Sequence, residues 1–178
     1  MKIEPAQATD VVTVVRVLQR AFATTAERFG LTTENCPANP AFTTRDRVTE
    51  EIARGMRYYL LAEDGHACGC VAMEQPRAEV VYLGRLGVVP EHRSKGLGRA
   101  LVEHVLSEAA RIGVQRVELG LFAEDTPLKE WYARFGFKQT GTKRFEHLSL
   151  LVAFMAKELR RSQAPRASCA NPEGRKGQ

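Results

Sequence analysis

Between Arg57 and Phe122 the apolar residues change from a period of two to a helical period and back, and few architectures accommodate that change. Residues 57–63 and 67–75 are β-rich runs joined around Asp64-Gly65, a hairpin turn signal. Pro76 is expected to break the chain, and residues 79–89 form a third run rich in Val, Tyr and Leu. Leu101, Val105, Ala109 and Ile112 then lie on one helical stripe that Gly113 closes, before residues 116–122 return to a strand pattern. Hairpins flanking a strand–helix–strand unit require an α/β arrangement, a mixed sheet covered by helices.

The flanks fit the same plan. Lys2 to Glu4 reads as a short first strand. Asp10 is placed to cap a helix carrying Val11, Val14, Val15, Leu18 and Phe22, and Thr44 opens another with Val48 and Ile52, which Gly55 stops. Between them Gly30, Asn35-Cys36-Pro37 and Asn39-Pro40 interrupt regular structure. Thr126 reads as an N-cap with Pro127 at the first helical position, and Leu128, Trp131, Tyr132 and Phe135 form that helix's apolar face up to Gly136. Residues 137–140 and 147–156 complete the pattern as strands. A single domain over residues 1–159 is expected, followed by a basic, disordered tail at 160–178.

Charge and cysteines narrow the function. The formal charge is +5, but residues 160–178 hold +4 of it, so the folded part is nearly neutral and no nucleic-acid partner is expected. The tail has no Val, Ile, Leu, Met or aromatic residue with which to offset its ordering entropy. Cys36, Cys68, Cys70 and Cys169 lack the paired spacing of a zinc framework; Cys68 and Cys70 read as small buried thiols, and no metal is expected. The first ten residues lack a basic and apolar leader, and no stretch approaches the roughly 20 apolar residues of a membrane span. The expectation is a cytoplasmic protein, monomer or homodimer, without a membrane partner.

The chemistry concentrates in residues 86–100, where a strand runs through Pro90-Glu91-His92 into a basic, glycine-spaced loop that opens a helix. Unpaired amides at a helix start and the positive end of its dipole make an anion site. Gly96 and Gly98 remove side chains where a phosphate approaches the backbone, and Arg93, Lys95 and Arg99 add charge. No Walker loop is present, and the dinucleotide fingerprint fails because Leu101 takes the position of its third small residue. A pyrophosphate is the expected ligand.

These residues resemble the GNAT acetyltransferase superfamily. Its R/Q-x-x-G-x-G/A signature stands as Arg93-Ser94-Lys95-Gly96-Leu97-Gly98, and its Y-x-x-x-G-F as Tyr132-Ala133-Arg134-Phe135-Gly136-Phe137. The likeness runs from about Lys2 to Leu159 and is strongest from Leu83 to Phe137. It implies a mixed, mostly antiparallel sheet with a V-shaped splay between the fourth and fifth strands, flanked by about four helices. It also implies acetyl-CoA as co-substrate within that V. The backbones of Leu86 and Val88 would pair with the pantetheine arm of coenzyme A, and the amides from Ser94 to Arg99, Leu97 included, would hold the pyrophosphate. Relatives often carry Asn seven residues before the tyrosine. Asp125 stands there, an exchange that leaves its contact with the cofactor open.

Acetyl transfer sets its own demands. An attacking lysine-type amine, with a pKa of about 10.4, must lose a proton, the oxyanion needs a backbone N–H, and the departing thiolate needs a donor. The resemblance makes Tyr132 that donor; the alternative is a core aromatic on the Leu128–Phe135 stripe. No general base is assigned: Tyr82 stands where histone-acetylating relatives carry Glu, Glu79 reads as a solvated edge charge, Glu146 and His147 enter the last strands, and His92 reads as solvent-exposed. The acceptor is a primary amine of a small molecule, peptide or protein, not otherwise identified. Residues 22–42, too apolar for a linker, and 140–148 are expected to shape its pocket. An acyl-CoA-binding sensor without turnover is the alternative, since it would need Arg93 to Gly98 but not Tyr132.

Overall fold

In the computed structural model, which describes residues 1–145 and 150–159, the alternating runs join one seven-stranded sheet. The strands are β1 (Lys2–Pro5), β2 (Arg57–Glu63), β3 (His66–Arg77), β4 (Val80–Val88), β5 (Arg116–Phe122), β6 (Lys138–Arg144) and β7 (Leu151–Glu158), in the order β1-β2-β3-β4-β5-β7-β6. Every neighbouring pair is antiparallel except β4 and β5. Four helices accompany them: α1 (Val11–Arg28), α2 (Arg45–Ala53), α3 (Leu97–Arg111) and α4 (Thr126–Ala133). The expectations placed on Glu146, His147, Cys169 and the tail at 160–178 lie outside the described residues.

The sheet carries its core on both faces. An added Cβ on Gly87 would meet Ala21 and Phe22 of α1 at 2.7 and 2.9 Å, whereas one on Gly69 would meet Leu101 of α3 at 3.1 Å. These glycines belong to adjacent register pairs, Cys70 with Gly87 and Gly69 with Val88, so α1 and α3 cover opposite faces. Val14, Leu18, Leu61, Val71, Leu101 and Val105 are among the fully buried residues that result.

Local chemistry departs from three expectations. β3 continues through Pro76 to Arg77, because the pairing skips from Glu74–Tyr82 to Arg77–Val80 and leaves the proline, which has no N–H to donate, inside a bulge. Helix α1 starts where expected, but the Asp10 carboxylate accepts from the Gln7 amide at 2.8 Å instead of capping it. Asp125, not Thr126, caps α4: its Oδ1 accepts from the Leu128 amide at 3.3 Å, and Thr126 and Pro127 are already helical. The segment after α1 is also more ordered than its breakers imply. Ala26, Leu31 and Cys36 form a second small core with Phe29, Phe42, Phe122 and Leu150, and residues 40–42 make a 3-10 turn.

The feature that positions the site is the divergence of β4 from β5. They pair only from Val80–Tyr82 to Arg116–Glu118, and beyond that point the strands part. Opposite β3, the pairing passes from Ala72–Gly84 to Cys70–Gly87, one residue more on β4, and Arg85 in this bulge has φ of +55°. The splay implied by the family resemblance is therefore built from a strand bulged on one edge and unpaired on the other. No described helix is long and apolar enough to cross a membrane.

Candidate active site

A cavity of about 1120 Å³ opens in the splay, and every residue expected at the site reaches its lining except Lys95. Lys95 turns away, and its charge is felt instead by Glu63 and Cys68. On the free edge of β4 the backbone geometry is set by its neighbour. The Val89 amide donates to Cys68 O on β3 at 2.9 Å, so Val88, one residue earlier, faces the splay with its N–H and C=O. That carbonyl accepts from Arg93 Nε at 3.0 Å, which leaves the Val88 N–H as the polar group offered to a ligand.

Arg93 has a second bond, from its guanidinium to Ala21 O on α1 at 2.7 Å. Its side chain thus staples strand, loop and helix together rather than supplying a loose charge. The loop beyond it turns through two left-handed residues, Ser94 with φ of +62° and Gly96 with φ of +81°. Gly96 is the N-cap of α3 and offers no side chain to its first amides. The N–H groups of Leu97, Gly98 and Arg99 are therefore left for an external acceptor at the positive end of a four-turn helix. An added Cβ on Gly98 would only touch Trp131 at 3.5 Å, an ordinary contact. Internal packing does not demand glycine there, but close approach of a ligand would. These observations fit a pyrophosphate-bearing ligand.

Two tyrosines line the V. Tyr82, on the last β4–β5 pair, reaches over β5, and its hydroxyl lies 2.7 Å from where a Cβ on Gly120 would be. Tyr132, on α4, is 6% exposed and packs edge-on against Trp131 and Phe137 while reaching the cavity. Burial pushes its hydroxyl well above the usual tyrosine range, and the neighbouring Tyr82 adds to the shift. It stays protonated through the neutral range, as a donor must.

The carboxylates divide clearly. Asp125 caps α4 and pairs with Arg28 at 2.8 Å, a clasp joining the end of α1 to the start of α4. Glu79 is exposed, and its carbonyl accepts from the Gln115 and Arg116 amides at 2.9 and 3.2 Å. Sequence reasoning missed two others. Glu74 lines the cavity on β3, in register with Tyr82 and so on the same face; only the strand pairing reveals it. Glu51, on α2, is buried and bonded to the Tyr58 hydroxyl, Arg85 and Arg47. Arg85 and Arg47 also donate to Ala38 O and Pro37 O, at 3.2 and 3.1 Å, which pins the 35–43 segment beside the cavity.

Comparison with known proteins adds kinship to this geometry. Over 82 residues the chain is 33% identical to the amino-acid acetyltransferase of Neisseria meningitidis, a match covering 46% of this chain and 18% of that protein's length. The crystal structure of the ribosomal-protein-S18-alanine N-acetyltransferase of Escherichia coli superposes with a TM-score of 0.72 at 19% identity, over 92% of this chain and 97% of that one. The PaiA N-acetyltransferase of Thermoplasma acidophilum, in complex with coenzyme A, also gives a TM-score of 0.72 at 19% identity, over 89% and 100% of the two chains. The model of the acetyltransferase (GNAT) family matches residues 18–137. The chain belongs to the GNAT acetyltransferase family.

Proposed function

We propose that the protein transfers an acetyl group from acetyl-CoA to the primary amine of an amino acid, peptide or protein, by direct attack in a ternary complex. The observation that carries this reading is a single cavity lined by the uncapped start of α3, the free edge of β4 and Tyr132. Two of the matched proteins are named as acetyltransferases, one for amino acids and one for a ribosomal protein's alanine, which supports the acceptor class.

The roles follow from position. The amides of Leu97, Gly98 and Arg99 hold the pyrophosphate, and Arg99 adds a positive charge. The edge of β4 at Leu86 and Val88 pairs with the pantetheine arm and offers N–H groups to the thioester oxygen as it becomes an oxyanion. The amine nitrogen bonds to the thioester carbon, the carbon–sulfur bond breaks, and Tyr132 donates a hydrogen bond and then a proton to the thiolate. The proton lost by the amine passes to Glu74, directly or through one water. Among the described cavity carboxylates Glu74 is the one outside an ion pair.

The test is acetyl transfer to a panel of amino acids and short peptides, read as coenzyme A thiol released, in wild type and Tyr132→Phe. The phenyl ring keeps the contacts with Trp131 and Phe137, so acetyl-CoA affinity should hold while the single-turnover rate falls by about 10²–10⁴-fold. A wild-type rate in the variant makes Tyr132 a packing residue. Tight acetyl-CoA binding with no thiol released across the panel points to a sensor instead.

A further inference from the structure

Away from the cavity, Glu63, Cys68 and His92 converge at the closed end of the β2–β3 hairpin. His92 Nδ1 lies 2.8 Å from Glu63 Oε2, and one donor atom from each of the three residues lies within 4.8 Å of the other two. Cys68 is 1% exposed, while the His92 and Glu63 side chains are 31% and 24% exposed, so the cluster has a buried sulfur floor and an entrance from solvent. None of the three lines the acyl-transfer cavity. We propose that Glu63, Cys68 and His92 form a binding site for a divalent cation of the zinc type.

The donor set selects the ion. A thiolate, an imidazole and a carboxylate are the ligands zinc takes in tetrahedral sites, with water in the fourth position when the protein supplies three. Calcium and magnesium require oxygen donors and have no use for the sulfur. The thiolate and carboxylate together neutralise a dication. Bond lengths of about 2.0–2.3 Å put tetrahedral donors about 3.3–3.7 Å apart. The His92–Glu63 pair therefore opens slightly as the ion enters. Burial holds the Cys68 thiol protonated, so binding replaces the S–H bond with a metal–sulfur bond and releases one proton. Lys95 and the N-terminal amine are the positive charges that bear on Glu63, and they temper the affinity.

The scaffold suits a clip. Glu63 and Cys68 are held at fixed separation by the hairpin, and the Val89–Cys68 backbone bond ties β3 to the segment carrying His92. His92 immediately precedes Arg93, the staple of the pyrophosphate loop. A cation at this point joins the hairpin to the base of that loop.

The experiment uses the full chain, stripped with a chelator and titrated in thiol-free buffer with Co²⁺ as an optical probe and with Zn²⁺ by calorimetry. The expected result is one equivalent bound, a sulfur-to-cobalt charge-transfer band in the near ultraviolet, and a Tm that rises with Zn²⁺. Cys68→Ser should abolish the band, and Cys169→Ser should leave it intact. Glu63→Gln and His92→Asn, both at partly exposed side chains, should each weaken Zn²⁺ binding by about ten-fold or more. A band that survives Cys68→Ser, or is lost in Cys169→Ser, overturns the site. So does the absence of any band or Tm shift with cation in large excess. If Cys68→Ser fails to fold, the two surface variants decide: unchanged Zn²⁺ affinity in both refutes the proposal.

Discussion

Gly98 separates ligand chemistry from folding more cleanly than any other residue of the loop. Its backbone is helical and a side chain there meets only Trp131, so Gly98→Asp should fold, with a carboxylate at a helix N-terminus where the dipole favours it. The same carboxylate stands where the pyrophosphate must approach. Calorimetry should find acetyl-CoA binding abolished and Tm within a few degrees of wild type; unchanged affinity would remove the pyrophosphate assignment. Gly96 is the poorer probe, because its φ of +81° strains any other residue and mixes conformational with ligand effects. Glu74 is tested differently. Glu74→Gln keeps size and polarity but cannot take a proton, so kcat/KM should fall by about 10²–10⁴-fold with acetyl-CoA affinity retained. A wild-type pH–rate profile in this variant would show that the amine loses its proton elsewhere.

The elements around the cavity are held by unlike means. α3 packs through its apolar stripe, but the 35–43 segment depends on Glu51, whose two arginine partners grip its backbone. Burial alone would raise the Glu51 carboxyl; the Tyr58 hydroxyl and the charges of Arg85 and Arg47 outweigh it and hold the group below the usual carboxylate range. A carboxyl depressed in the folded state stabilises the protein above its unfolded value of about 4.3, and that contribution is lost as pH falls through the lower folded value. Glu51→Gln should therefore cost about 2–3 kcal/mol at neutral pH, because it leaves the partly buried Arg85 without its charge partner. It should also flatten the loss of stability expected of the wild type on acidification below about pH 4.3. Denaturant unfolding at several pH values checks both, and equal acid sensitivity in the two proteins would show that the network adds nothing.

For the whole molecule, the decisive weakness is that only three residue pairs join β4 to β5. Below the splay the two halves of the sheet are held by that short ladder and by Tyr82 reaching toward Gly120. A ligand in the cavity touches both halves and binds only the folded state. At about 100-fold excess over Kd, acetyl-CoA should add about 2.7 kcal/mol of stability. In a chain of this size that raises Tm by about 5–11 °C. Thermal unfolding with and without acetyl-CoA measures this, and Gly98→Asp should abolish the shift without lowering the starting Tm appreciably.

Local rules accounted for most of the elements. Alternation placed β2 and β5 at their observed bounds, helical stripes placed α1 and α3, and Asp64-Gly65 marked the hairpin, because each depends on residues within a few positions of one another. The glycine-spaced loop from Arg93 to Arg99 was legible for the same reason: its glycines, its charges and the helix it opens are contiguous in sequence. The errors at Pro76, Asp10 and Thr126 arose where a bulge or a competing hydrogen bond overrode the local signal. What the chain could not announce is every grouping made across the fold. Glu74 reaches the cavity by cross-strand register, Glu51 gathers Tyr58 and Arg85 from two strands, and His92 meets Glu63 across 29 positions of sequence. Such contacts follow from sheet order and from helices packed on both faces, and no periodicity or spacing along one dimension encodes which distant side chains that packing will bring together.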